Sequence, residues 1–159
     1  MKKVIIICGI SIILILICLI LFFNDMQMNE CLGIRVPKLT KRETIKLKSG
    51  KFFDDERVNK IYLSKIQMKR LLKKVEENEN WRNGKLDERL DEKMKKFTRE
   101  NIYDEIPNIE NAYWIFTNRS HGVDDQHSVD EMLNDMYYAI SFGIVDIDNN
   151  ILYYYEYDR

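Results

Sequence analysis

The chain has 159 residues and a formal net charge of −1, with 45% hydrophobic and 32% charged residues. That length leaves room for one domain of ordinary size beside a short appended segment, and this composition excludes a chain that is disordered throughout. Richness in Ile, Lys, Asn and Tyr, with two prolines and six glycines, points to an AT-rich bacterial coding sequence.

Val4 to Phe23 is a run of 20 residues without a charge, whose apolar character is interrupted only by Cys8, Gly9, Ser11 and Cys18. As a helix rising about 1.5 Å per residue it would measure about 30 Å, the thickness of a bilayer's hydrocarbon core. The exit, Leu21-Phe22-Phe23-Asn24-Asp25, lacks the small residues of a signal-peptidase site. Ile7, Ile17 and Glu30 precede the three cysteines, where a lipoprotein signal needs a small residue. The expectation is a short tail (1–3) followed by an uncleaved anchor (4–23) in the lipid bilayer. Lys2 and Lys3 precede this run and Asp25 and Glu30 follow it, so the N-terminus is expected in the cytoplasm and the rest outside the plasma membrane, single-pass.

Only Cys31 lies beyond that run, so the exported part has no partner for an internal disulfide, and an inert thiol is expected rather than a bridge between copies. Residues 24–42 contain Gly33 and Pro37 and show no sustained periodicity, which reads as a stalk. The exported domain is expected over 43–159. Ile45 and Leu47 alternate, Ser49-Gly50 signals a turn, and an apolar–polar run extends from Val58 to Leu63, predicting two strands.

Ser64 and Gln67 form a capping box ahead of Met68, Leu71, Leu72 and Val75, predicting a helix from about Lys65 to Glu77. After Asn83-Gly84, the spacing of Leu86, Leu90, Met94 and Phe97 confines them to one narrow helical stripe on an otherwise charged surface. "AYWIFTNR" and "YYAISFGIVDI" read as strands, and "DIDNNILYYYEYDR" as a terminal hairpin turning at Asn149-Asn150. A two-residue loop there places Phe142 and Ile144 on one apolar face with Tyr153, Tyr155 and Tyr157. The whole predicts an α+β domain with a mainly antiparallel sheet of about five strands and two helices.

Charge is unevenly distributed along this domain. Residues 35–96 carry a net charge of +9 and residues 97–159 one of −10. Within one fold the two halves neutralise each other; on separate faces, the basic one would suit an anionic envelope polymer or lipid headgroups, the acidic one a cation or basic partner.

Familiar catalytic frameworks are absent: there is no GxSxG, HExxH, P-loop, Rossmann glycine pattern or CxxC pair. "SHGVDDQHSVDE" holds both histidines, and His121, Asp124 and His127 are a candidate metal set because imidazole and carboxylate are common ligands. A polar loop leading into the Ser128-x-x-Glu131 capping box explains the same residues and is favoured. "DIDNN" opens like a calcium loop through Asp146, Asp148 and Asn150, but Ile151 and Tyr157 occupy the positions that require Gly and Glu, so it reads as a turn. Tyr153, Tyr155 and Tyr157, with Tyr137, Tyr138 and Tyr154 nearby, are candidate interaction residues for a sugar or peptide, although cross-strand packing is the commoner use of such rings. Trp81 and Trp114 read as core fillers.

With "NENW", "AYWIFTNR" and "SFGIVDIDNNILYYYEYD" in this order, the last 80 or so residues resemble small N-terminally anchored bacterial proteins of unknown function. The resemblance implies an anchored domain ending in a tyrosine-rich hairpin, and no activity or site. Cofactors are expected to be none. The leading expectation is a membrane-anchored extracytoplasmic interaction or accessory module that binds an unknown protein or envelope polymer and no nucleic acid. The alternative is an envelope enzyme, a metal-assisted hydrolase using His121, Asp124 and His127.

Overall fold

A computed structural model describes residues 25–38, 40–48, 55–97, 103–120, 126–134 and 139–158. Its strands are β1 (Lys41–Lys48), β2 (Asp55–Tyr62), β3 (Arg82–Asn83), β4 (Ala112–Asn118), β5 (Ala139–Asp146) and β6 (Ile151–Asp158). A helix α1 covers residues 25–32, followed by α2 (Lys65–Glu76), α3 (Glu88–Phe97) and the short α4 (Val129–Asn134). The strands form one antiparallel sheet in the order β1-β2-β6-β5-β4-β3.

The terminal hairpin lies at the centre of this sheet. Asp146 closes its four-residue turn: Oδ1 accepts from the Asn149 backbone N–H at 3.0 Å and Oδ2 from the Asn149 amide at 2.8 Å, while Asn150 takes the left-handed conformation at φ 55°. The turn is two residues longer than the sequence suggests, so Phe142 pairs with Tyr155 and Ile144 with Tyr153. An even shift of register keeps every side chain on its face, which is why the expected grouping of Phe142 and Ile144 with the odd-numbered tyrosines survives.

Because successive strand residues point to opposite sides, the sheet carries two cores. On one face Val58, Trp114, Phe116, Phe142, Ile144, Tyr153 and Tyr155 pack beneath Leu90 and Met94 of α3, with Tyr103 and Val129. On the other, Ile61, Ile115, Val145, Leu152 and Tyr154 pack beneath α1 and the Met68-Leu71-Val75 stripe of α2. The α2 start is the expected capping box, with the Ser64 hydroxyl accepting from the Gln67 backbone and the Gln67 side chain accepting from the Ser64 N–H at 2.9 Å. Gly143 makes the close approach of α1 possible: a Cβ there would stand 2.2 Å from Leu32 Cδ2 and 3.0 Å from Trp81 Cη2.

The expected architecture needs correction. Among the described residues there are six strands rather than about five, since the short β3 extends the sheet beyond β4, and the helices number more than two. The predicted transmembrane helix over 4–23 lies outside the described residues, and among those described no helix is long and apolar enough to cross a membrane. The part of the stalk over 25–36 is built into the domain instead. Met28, Cys31, Leu32, Ile34 and Val36 are all buried, Gly33 ends α1 at φ +60°, and Asn29 Oδ1 accepts from the Val36 N–H at 2.8 Å. Cys31 is a free, buried thiol. The Ser49-Gly50 turn lies outside the described residues.

The oppositely charged halves of the sequence interleave. Lys60 pairs with Glu105 at 2.7 Å, Arg89 with Asp130 at 3.3 Å, and Arg57 with Glu156. Part of the imbalance seen along the chain is thus cancelled across the sheet.

Candidate binding groove

β1 is the terminal strand, and among the described residues nothing pairs with its outer side. Lys41, Arg42, Glu43, Thr44 and Lys46 are exposed, so both faces of this strand present polar side chains to solvent. On the face shared with α1, the register sets Arg42, Thr44 and Lys46 of β1 against Ile61, Asn59 and Arg57 of β2. With Asp25 and Met28 of α1 as one wall and Tyr154 in the floor, they enclose a groove of about 330 Å³. Its lining carries three cations against the one carboxylate of Asp25.

Each charge has a definable state. Arg42 forks onto Asp25, by Nη1 to Oδ1 and by Nη2 to Oδ2 at 3.5 Å. Thr44 Oγ1 donates to Asn59 Oδ1 at 2.7 Å, which turns the Asn59 NH₂ away from that bond. Arg57 is held from behind by the buried Glu156, whose carboxylate is 3% exposed and also accepts from Gln27 of α1 at 2.9 Å and Arg119 at 3.0 Å. Arg119 continues to Asp158 at 2.8 Å. Burial by itself would lower the Arg119 pKa, but the Glu156 and Asp158 charges outweigh it and raise it. The network ties α1 to β2 and β6 through one carboxylate, and among the described residues Arg119 Nε and Ser141 Oγ beside it are buried without hydrogen-bond partners. Burial drives the Tyr154 hydroxyl pKa far up, so that ring stays neutral.

On the opposite face of β1, Lys41 lies 4.6 Å from the Tyr62 ring centre and 2.8 Å from Glu43, which accepts from Tyr62 at 2.7 Å. Those hydrogen bonds, first from Lys41 and then from Tyr62, lower the Glu43 pKa. A second concavity of about 320 Å³ lies beside α3, floored by Leu86, Ile106 and Ile144 and rimmed by Lys85, Asp91 and Lys95. Its rim charges pair with one another, Lys95 with Asp91 at 2.7 Å and Lys85 with Glu88 at 3.3 Å.

The residues singled out from sequence fall elsewhere. His121 and Asp124 lie outside the described residues. His127 is placed with Nδ1 2.8 Å from the Phe116 carbonyl, and among the described residues no group of three His, Cys, Asp or Glu is arranged to hold a metal. Tyr153 and Tyr155 are core residues, 6% and 0% exposed, and Tyr157 is half-buried on the same face. Tyr155 stands edge-on to Tyr103 at 5.7 Å and donates to the buried Glu56 at 2.9 Å. Tyr153 and Tyr155 belong to an interior cluster, with Tyr157 packed at its margin. Tyr137 and Tyr138 lie outside the described residues. Trp81 and Trp114 are buried, donating to the carbonyls of Leu32 at 2.9 Å and Lys85 at 3.1 Å. Asp148 accepts from Asn111 at 2.8 Å, and with Asp146 it shapes the hairpin.

Sequence reasoning passed over the groove and the Glu156 network. The available signal was Glu156 itself, a carboxylate inside a run of strand aromatics, which demands a buried cation. No known protein family matches the chain, and neither characterised proteins nor solved structures show a significant similarity to it.

Proposed function

We propose that the domain is an interaction module that docks an acidic, extended segment of a protein partner along β1. The observation supporting this reading is the outer edge of an eight-residue strand, with which nothing pairs among the described residues. In an antiparallel ladder alternate residues direct their N–H and C=O groups outward, and an added strand satisfies them. The segment KRETIKLK carries four cations against Glu43, which opposes pairing with a second copy and favours a partner of opposite charge. The domain's other sheet edge is only the two-residue β3. Among the described residues no group of side chains supports the metal-assisted hydrolase.

The test is titration of the full chain with a ten-residue peptide of alternating Glu and Val, read by amide hydrogen exchange. Slowed exchange confined to β1, weakening as salt rises, is the expected result. Equal protection by a peptide with proline at every third position, which cannot pair as a strand, would remove the proposal.

A further inference from the structure

We infer that the groove between α1 and the β1–β2 pair is an oxyanion site, taking a carboxylate or phosphate group against Arg42, Lys46 and Asn59. The inference deepens the interaction reading and rests on it only for the source of the oxyanion, a partner's acidic side chain rather than a free phosphate.

The register builds the site. Thr44 pairs with Asn59 and Lys46 with Arg57, so four polar side chains stand in two adjacent rows on one face. Arg42 is next in line on β1, and Tyr154 lies beyond Asn59 on β6. Thr44 engages the Asn59 oxygen, leaving the amide's N–H groups as the donors this pair presents. Lys46 is exposed, and Arg57 has its position set by Glu156. A planar guanidinium, an ammonium and an amide N–H are the donors an oxyanion needs, and guanidinium forks suit carboxylate and phosphate alike.

Asp25 shows the chemistry already at work. Among the described residues it is the lone carboxylate lining the groove, and Arg42 grips it with both terminal nitrogens. An incoming oxyanion therefore competes with Asp25 for Arg42, and the wall of α1 carries a built-in competitor whose removal should strengthen binding.

The experiment is NMR titration of the full chain with inorganic phosphate at constant ionic strength, with sodium chloride as the matched control. Expected are saturable shifts of the Arg42, Thr44, Lys46 and Asn59 amides and the Asn59 side-chain amide. Asp25→Asn should tighten binding at least threefold and Lys46→Ala weaken it at least threefold. Shifts that chloride reproduces, or that fail to saturate, would overturn the site, as would a Lys46→Ala variant that binds as the parent does. If Asp25→Asn alters the amide spectrum of α1, Lys46→Ala, a change on a solvent-facing side chain, decides alone.

The Glu–Val peptide separates the two ideas. Peptide protection of β1 without phosphate binding keeps the interaction module and discards the oxyanion site. Phosphate binding without peptide protection leaves a site for a free oxyanion and discards the partner segment.

Discussion

On the α3 side of the sheet, Phe116, Phe142, Tyr103 and Tyr155 meet at ring-centre distances of 5.1 to 6.4 Å, and a nearly continuous aromatic layer fills the space. On the α1 side, the same three central strands bury Glu156, Ser141 and Thr117, and a glycine where the helix descends. Neighbours in sequence thus enter unlike environments: Tyr155 is packed among rings while Glu156 is clamped between two guanidiniums. The aromatic face depends on shape and area, and small errors in it are absorbed as cavities. The polar face depends on every charge keeping its partner, because a lone buried ion is far costlier than a void.

Breaking that clamp should have the largest effect. Glu156→Ala leaves Arg57 and Arg119 facing each other without their shared carboxylate, and the expected loss in urea unfolding of the full chain is about 3–5 kcal/mol. The comparison sharpens if Arg57→Met, Arg119→Met and Glu156→Leu are combined, which turns the polar face into a second apolar one. Stability near or above that of the parent would then show that the charges serve placement of α1 rather than net stability.

Next in size is Leu32→Ala, for which removal of a fully buried side chain predicts a loss of about 2–5 kcal/mol. Gly143→Ala should cost about 1–3 kcal/mol, since its Cβ would collide with Leu32. In the double variant the new methyl occupies space that Leu32 vacates, so the two costs should sum to more than the measured loss. Strict additivity in a double-mutant cycle would show that Leu32 does not seat over Gly143.

Ser64→Ala removes the acceptor at the start of α2 and should cost about 1 kcal/mol by thermal unfolding. The smallest effect concerns pH. Burial raises the Glu56 pKa above its usual 4.5, a shift only partly opposed by the hydrogen bond from Tyr155. The folded state then holds a proton more tightly than the unfolded one, so stability present below pH 4.5 is lost as pH rises through the folded pKa. Glu56→Gln, which still offers Tyr155 an acceptor, should match the parent at pH 4 and exceed it at pH 7. A parent-like decline in the variant would assign the pH dependence to another group.

Legibility from sequence followed the range of the interactions. The capping box at Ser64 and the Leu90–Met94 stripe act within one or two turns, and both appear where periodicity places them. The paired faces of the last hairpin were legible because a strand alternates with period two, whatever the exact loop length. The binding groove was not legible, because the period of β1 aligns Arg42, Thr44 and Lys46 but only the fold sets them beside Arg57 and Asn59 of β2 and Asp25 of α1. Tyr153, Tyr155 and Tyr157 show the converse. Their chemistry suggests a platform, but Tyr153 and Tyr155 are buried in the core that Leu90 and Met94 of α3 share, with Tyr157 at its margin.

What the amino-acid sequence determined by itself is the set of local elements and the side to which each turns its apolar residues, since backbone geometry imposes those periods on any chain. Tertiary structure decided that residues 25–36 belong to the core, that Glu156 reaches partners 129, 99 and 37 positions away, and that β1 ends the sheet among the described residues. Such choices depend on which segments meet across the sheet, and no local pattern records the energy of a contact between residues that approach only after the chain has folded.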